Sequence, residues 1–211
     1  MSFVSRYADF LPRPQRDVEA DLESFAQLLL KWNVSQNLVS RETVGEIWPR
    51  HIADSLQLLP LIRAEDRHIV DLGSGGGFPA LPLAVALKGS ERAFTLVEPI
   101  QKKASFLRTV IRELGLPARV VVDRAESLVA DESARFDLAT SRALASLDVL
   151  CGMIAPLLRP DGHALLHKGR EHPQEIAESR LAWDFDVVNR ASGTDDSGAI
   201  LEISNLRLRT S

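Results

Sequence analysis

Residues 71–80 read DLGSGGGFPA, which sets Gly73, Gly75 and Gly77 at alternate positions behind an acid, Asp71. Glycines let the backbone turn sharply and approach a ligand with no Cβ in the way. Dinucleotide enzymes use a related turn, so glycines alone specify little. Two details separate this one. The spacing is Gly-x-Gly-x-Gly, because position 78 is Phe, and Asp71 would repel a pyrophosphate. S-adenosylmethionine carries no phosphate and presents two cations, an ammonium and a sulfonium, that an acid favours. The loop is therefore expected to hold S-adenosylmethionine through Gly73, Ser74 and Gly75. A purely structural glycine turn is the bland alternative.

Glu98 lies about 20 residues further on, at the end of an apolar run, where a carboxylate can accept hydrogen bonds from both ribose hydroxyls. Residues 123–126, DRAE, close the next run and are placed to meet the adenine, though an ordinary charged turn fits them nearly as well.

Residues 140–143, TSRA, follow the fourth apolar run, in the loop that borders donor and acceptor in sheets of this kind. The Asn-Pro-Pro-Tyr type motif of many exocyclic-amine methyltransferases is absent. Attack at pyrimidine C5 needs a cysteine nucleophile, and Cys151 sits in an apolar helical pattern that reads as core. What remains is Arg142 with no evident general base. That suits an acceptor with a free lone pair and no proton, such as guanine N7, with catalysis mostly by positioning. Arg142 is the positioning candidate, for base or phosphate; a structural ion pair is equally compatible with the sequence.

These residues need a scaffold, and the periodicity supplies one. Val18, Leu22, Phe25, Leu29 and Trp32 recur at helical spacing, and residues 33–40 break the pattern. A second helix is expected over 51–62. Apolar runs at 68–72, 93–98, 119–122, 136–140 and 163–167 read as strands. Helices are expected between them at 81–87 and at 107–114, the latter stopped by Gly115. A polar helix at 174–181 and strands at 185–188 and 200–206 finish the chain. Alternation of strand and helix predicts an α/β, doubly wound Rossmann-like sheet of about seven strands, the last one antiparallel. The expected division is a helical N-terminal cap over 1–65 and a cofactor-binding domain over 66–211.

The 211 residues, 45% hydrophobic and 26% charged, suit a globular protein with a sizeable core. No run of about 18 apolar residues suggests a membrane span, no secretory signal is apparent, and one cysteine makes no intrachain disulfide. A cytoplasmic monomer without a metal is expected. Net charge is −4, against a wholly basic nucleic-acid binder. RNA contact would need a local basic face, for which Arg50, His51, Lys102, Lys103, Arg124 and Lys168 are candidates; taken alone, each Lys or Arg reads more simply as solvated surface, and His51 as helix surface or packing.

Taken together, these residues resemble the bacterial 16S ribosomal RNA guanine-N7 methyltransferases, the glucose-inhibited division protein B family. The likeness runs from about Trp32 to Gly169 and includes RHIADSL at 50–56, DLGSGGGFP at 71–79, LVE at 96–98, KKASFL at 102–107, RAE at 124–126, SRA at 141–143 and KG at 168–169. The resemblance implies methylation at N7 of guanine 527 in the decoding-region loop, with 16S RNA or the small ribosomal subunit as partner. It also implies cofactor contacts at Gly73, Phe78, Ala125, Glu126 and Arg142. Ala80 stands where a glycine is common, and the segment beyond Arg170 matches weakly. The competing expectations are a methyltransferase for a small molecule or protein, a non-catalytic ribosome-binding protein, and a nicotinamide oxidoreductase.

Overall fold

The computed structural model describes residues 3–130 and 135–210, without the side chains of Glu126, Val129 and Ala130. A 3-10 helix at Val4–Phe10 leads into α1 (Gln15–Gln36), and α2 (Ala53–Leu56) follows within a run of short helical turns. Then come β1 (His68–Leu72), α3 (Ala80–Ala86), β2 (Ala93–Val97), α4 (Gln101–Leu114), β3 (Ala118–Val121) and β4 (Phe136–Arg142). The chain closes with α5 (Leu147–Ile154), β5 (Leu158–Lys168), α6 (His172–Ser179), β6 (Trp183–Ala191) and β7 (Ala199–Leu208).

The strands form one seven-stranded sheet in the order β3-β2-β1-β4-β5-β7-β6. β1 to β5 run parallel, and β7 is antiparallel to both β5 and β6. The chain builds outward from β1 in one direction through β3, then crosses back to β4. The reversal leaves a crevice beyond the carboxyl ends of β1 and β4, the switch point where such sheets bind ligands. The expected α/β architecture is the one found.

Successive side chains of a strand point to opposite faces, and both faces here are covered, so the strands are apolar on both sides. Ile69, Phe94, Leu96, Leu138 and Leu165 join α3, α4 and the N-terminal helices in one cluster. Val70, Leu72, Ala139, Ala164 and Leu166 join α5 in the other. α1 buries Val18, Leu22, Phe25, Ala26 and Leu29 against the first face. Among the described residues no helix is long and apolar enough to cross a membrane.

Three local expectations need correction. α1 does not stop at Asn33 but continues to Gln36, where Asn37 at φ 48° ends it in the left-handed region. Asn33 instead uses its Oδ1 to accept the Val39 N–H at 2.9 Å, tying the following loop back. The single helix expected over 51–62 is three pieces: a π-helical turn at Trp48–Ile52, the four-residue α2 and a 3-10 turn at Leu59–Leu61. Pro60 lacks the N–H that a continuous helix would need. β5 begins at Leu158, five residues earlier than expected, because its pairing with β4 shifts register between Phe136 and Leu138 and absorbs Pro160 and Gly162.

Candidate functional site

The glycine loop is held by the strands it leaves. Gly73 and Ser74 donate their N–H groups to the Val97 carbonyl at 3.0 and 3.1 Å, and Ser74 Oγ donates to the Asp71 carbonyl. Gly73, Gly75 and Gly77 all have positive φ. At Gly77 (φ 89°) a Cβ would meet Leu81 Cδ1 at 2.3 Å, so only glycine lets α3 close down on the loop. At Gly75 a Cβ would meet nothing nearer than the Gly73 carbonyl at 3.7 Å, so space is open above it.

Two buried acids flank this loop. Glu98, 3% exposed, accepts the N–H of Gly75 on Oε2 and of Ile100 on Oε1, both at 2.8 Å. Each oxygen keeps lone-pair capacity for a further donor. Asp71, 1% exposed, accepts the Thr140 hydroxyl on Oδ1 at 2.8 Å, while its Oδ2 has no partner. Burial pushes the Asp71 carboxyl up to about 7, against the pull of the Ser74 and Thr140 hydroxyls and the Arg142 charge. A buried carboxylate oxygen without a donor is costly, and one beside an open glycine loop is placed for an ammonium. The residues present thus fit S-adenosylmethionine: an orphaned acid for its amino group, an open glycine cradle and an acid at the end of β2.

Arg142 is committed elsewhere. Its Nη1 donates to Asp54 Oδ2 at 3.0 Å and to the Arg50 carbonyl at 3.1 Å, and its Nη2 reaches His51 Nδ1. Asp54 is shared further: Oδ1 accepts Thr194 Oγ1 and Gln57 Nε2, both at 2.6 Å, and its carbonyl accepts His167 Nε2 at 2.9 Å. One residue, through its carboxylate and its carbonyl, thereby clasps the N-terminal helices, β4, β5 and the β6–β7 loop together. His51 stacks on Phe78 at 4.9 Å between ring centroids, with the Arg142 guanidinium 5.1 Å from the same ring. Phe78 also meets Phe25 edge-on at 5.4 Å, so its ring packs into the cap.

His51 is buried and its pKa is lowered to about 4 by burial first and by the Arg142 charge second. Its neutral ring accepts from Arg142 at Nδ1, which leaves Nε2–H to donate to Thr43 Oγ1 at 3.0 Å. Lys168 is likewise engaged, with Nζ 2.5 Å from Glu175 Oε2 and 2.8 Å from the Ala145 carbonyl. Arg50, Lys102 and Arg124 are exposed and Lys103 is half-buried, all near the carboxyl edge of the sheet. Ala125 is buried, and the side chain of Glu126 lies outside the described residues. Cys151 is buried in the second cluster, with its thiol pushed up to about 12 by burial.

The sequence singled out neither Asp54 as the clasp nor His167 as its partner. The RHIADSL run did carry Asp54, three residues after His51, the spacing of neighbours on a helical turn. A cleft of about 540 Å³ also went unforeseen; it opens beside the 143–146 loop, lined by His167, Lys168 and α6. A second cleft, of about 380 Å³, lies at the opposite edge of the sheet between His68, Thr95, Arg119 and Arg159, away from the glycine loop.

Comparison with known proteins adds to this geometry. The family model described as rRNA small subunit methyltransferase G matches residues 18–197. The ribosomal RNA small subunit methyltransferase G of Bartonella tribocorum is 41% identical over 200 residues, spanning 94% of this chain and 93% of its own. Among solved structures, cofactor-bound Rv0187 from MTB superposes with a TM-score of 0.62 at 15% identity, over 88% of this chain and 90% of that one. The T. thermophilus 16S rRNA N2 G1207 methyltransferase, in complex with AdoMet and guanosine, gives 0.52 at 20% identity, over 74% of this chain and 43% of that one. At those identities the structural likeness shows the fold alone.

Proposed function

The chain belongs to the rRNA small subunit methyltransferase G family, and from that premise we propose that it methylates N7 of guanine 527 in 16S ribosomal RNA. As a member of that family it is an rRNA methyltransferase that uses S-adenosylmethionine. When bound, the cofactor supplies an electrophilic methyl group on a cationic sulfur.

The observation that carries the cofactor's placement is the unpartnered Asp71 Oδ2 beside the open glycine loop. In our reading Asp71 takes the ammonium, Glu98 the ribose hydroxyls, and Gly73, Ser74 and Gly75 line the ligand. Ala125 and Glu126 border the adenine. Phe78 and Arg142 act through the loop and the cap, since their side chains are turned to Phe25, His51 and Asp54.

The engagement of His51, Asp54 and Glu98 and the burial of Cys151 suit an acceptor that needs no deprotonation. His51 is occupied at both ring nitrogens, and the Cys151 thiol is buried and held protonated. Asp54 and Glu98 already accept hydrogen bonds. Guanine N7 offers a lone pair without a proton, so the protein's task is alignment of that lone pair with the methyl. Arg50, Lys102, Lys103 and Arg124 are the proposed phosphate contacts, as a local basic edge on an acidic protein. We place the reaction in the cytoplasm, by a monomer, on 16S RNA or the assembling small subunit.

Transfer of label from S-adenosylmethionine to small subunits that lack the mark tests this reading. Label in 16S RNA supports it. Label only in ribosomal protein, or none while the cofactor binds, would overturn the RNA acceptor.

A further inference from the structure

Gly75 faces open space, but its neighbour Gly76 is closed in by the chain itself. A Cβ at Gly76 would stand 2.9 Å from the Leu38 carbonyl oxygen and 3.5 Å from the Leu38 carbonyl carbon. That is too close for any side chain, so the main chain at residue 38 lies directly on the glycine loop. Residues 37–40 thus form a strap from the N-terminal helices across the loop that we assign to the cofactor.

One residue seats this strap. The Asn37 N–H donates to the Asn33 carbonyl at 3.4 Å, and the Val39 N–H donates to the Asn33 side chain, at Oδ1, at 2.9 Å. Asn33 therefore holds the amides on both sides of Leu38. The second bond matters more. The Leu38 carbonyl and the Val39 N–H belong to the same trans peptide, a rigid plane whose two ends point in opposite directions. Asn33 grips one end of that plane, and the other end lies against Gly76.

The post itself is fixed. Trp32, next to Asn33, packs on Phe106 of α4 with ring centroids 5.9 Å apart. Leu38 and Val39 are buried in the first core cluster. Asn is a poorer helix former than Leu, so its place in the last turn of α1 is not explained by the helix.

The far end of the strap returns to the same loop. The Ser40 carbonyl accepts the N–H groups of Thr43 and Val44 at 3.2 and 3.0 Å. Thr43 Oγ1 in turn meets His51 Nε2 at 3.0 Å, and the His51 ring stacks on Phe78. The N-terminal helices thus press on the loop at Gly76 and at Phe78. Between Gly76 and β1 lies Gly75, whose N–H is aimed at Glu98 Oε2. A strap that lifts from Gly76 frees the peptide that joins it to Gly75, the part of the loop open to a ligand.

We propose that Asn33 is a positioning residue for S-adenosylmethionine: by holding the Val39 N–H it seats the Leu38 carbonyl on Gly76 and fixes the cradle before the cofactor arrives. The inference rests on the placement of the cofactor at the glycine loop, and its test separates the two. Affinity for S-adenosylmethionine is measured by titration of the full chain, at a temperature where circular dichroism shows each variant folded. Asn33→Leu removes the acceptor and should weaken binding about 10-fold. Asn33→Asp keeps an acceptor oxygen in the same place and should restore most of the affinity. In methylation of small subunits the Leu variant should raise KM for S-adenosylmethionine by the same factor and leave kcat near the wild-type value, a split that a general loss of folded enzyme does not produce. Gly76→Ala leaves the Asn33 bond intact and lifts the strap from the other side. It should also weaken the cofactor, and it decides the matter if Asn33→Leu does not fold. Wild-type affinity in either variant, or a loss that Asn33→Asp fails to recover, would overturn the role of Asn33. If Gly75→Asp keeps its affinity, the placement of the cofactor falls; if Gly75→Asp loses affinity while the strap variants do not, only the role of Asn33 falls.

Discussion

Asp54 Oδ2 stands 3.0 Å from Arg142 Nη1, and through this contact the N-terminal helices reach the last residue of β4. The pair is largely buried, with side-chain exposures of 13% and 19%. Removing one partner strands the other charge in a desolvated place, which costs far more than the intact pair contributes.

Asp54→Ala should therefore destabilise the protein by roughly 3 kcal/mol, visible as a melting temperature about 6 to 12 °C lower for a chain of this size. Replacing both partners, Asp54→Ala with Arg142→Met, should recover part of the loss. A single variant as stable as the wild type would show that the clasp does not hold the cap.

A pH effect follows from Asp71. Its carboxyl titrates near 7 in the folded protein because burial disfavours the charge. The group binds its proton more tightly folded than unfolded, so its contribution is fully present below the unfolded pKa of about 4. That contribution is lost as pH rises through 7. Asp71→Asn should thus raise the melting temperature of the free protein at pH 8 by about 2 °C or more, with little change at pH 4. An ammonium ligand needs the ionised form, so wild-type affinity for S-adenosylmethionine should weaken as pH falls from 8 to 6, and the variant should bind poorly at every pH. Affinity that is flat with pH in the wild type would remove Asp71 from the site.

The two glycines of the loop should fail in different ways. Gly77→Ala drives a methyl into Leu81, a fully buried residue of α3, in a backbone conformation L residues avoid. Its main effect should be on stability, a loss of about 2 kcal/mol, read from urea melts. Gly75→Asp meets open space, at a left-handed φ of 52° that Asp adopts at modest cost, and sets a second carboxylate beside Glu98, which already holds the Gly75 N–H. It should fold and lose S-adenosylmethionine affinity by 100-fold or more, roughly 3 kcal/mol. Retained affinity in the folded variant would sink the assignment of the loop.

The Arg142 contacts explain why some of the site was legible in the sequence and some was not. Gly73, Gly75, Gly77 and Glu98 could be read because local backbone need and strand ends dictate their positions, and both appear as short-range patterns. The sheet was readable for the same reason, since short apolar runs alternating with helices leave few arrangements. Arg142 was open to two readings because its partner lies 88 residues away in sequence, in the N-terminal helices. The His167 contact spans 113 residues and had no local signal. β5 was begun too late because a register shift, which depends on β4, hides its first residues behind Pro160 and Gly162.

The central claim concerns one atom of one base. Small subunits from cells lacking the enzyme are incubated with the protein and S-adenosylmethionine, and the extracted 16S RNA is treated with borohydride and aniline, which cut the chain at 7-methylguanosine. One new cut at guanine 527 is the predicted result. Methyl incorporated into the RNA without a cut, or a cut at a different guanine, would contradict it.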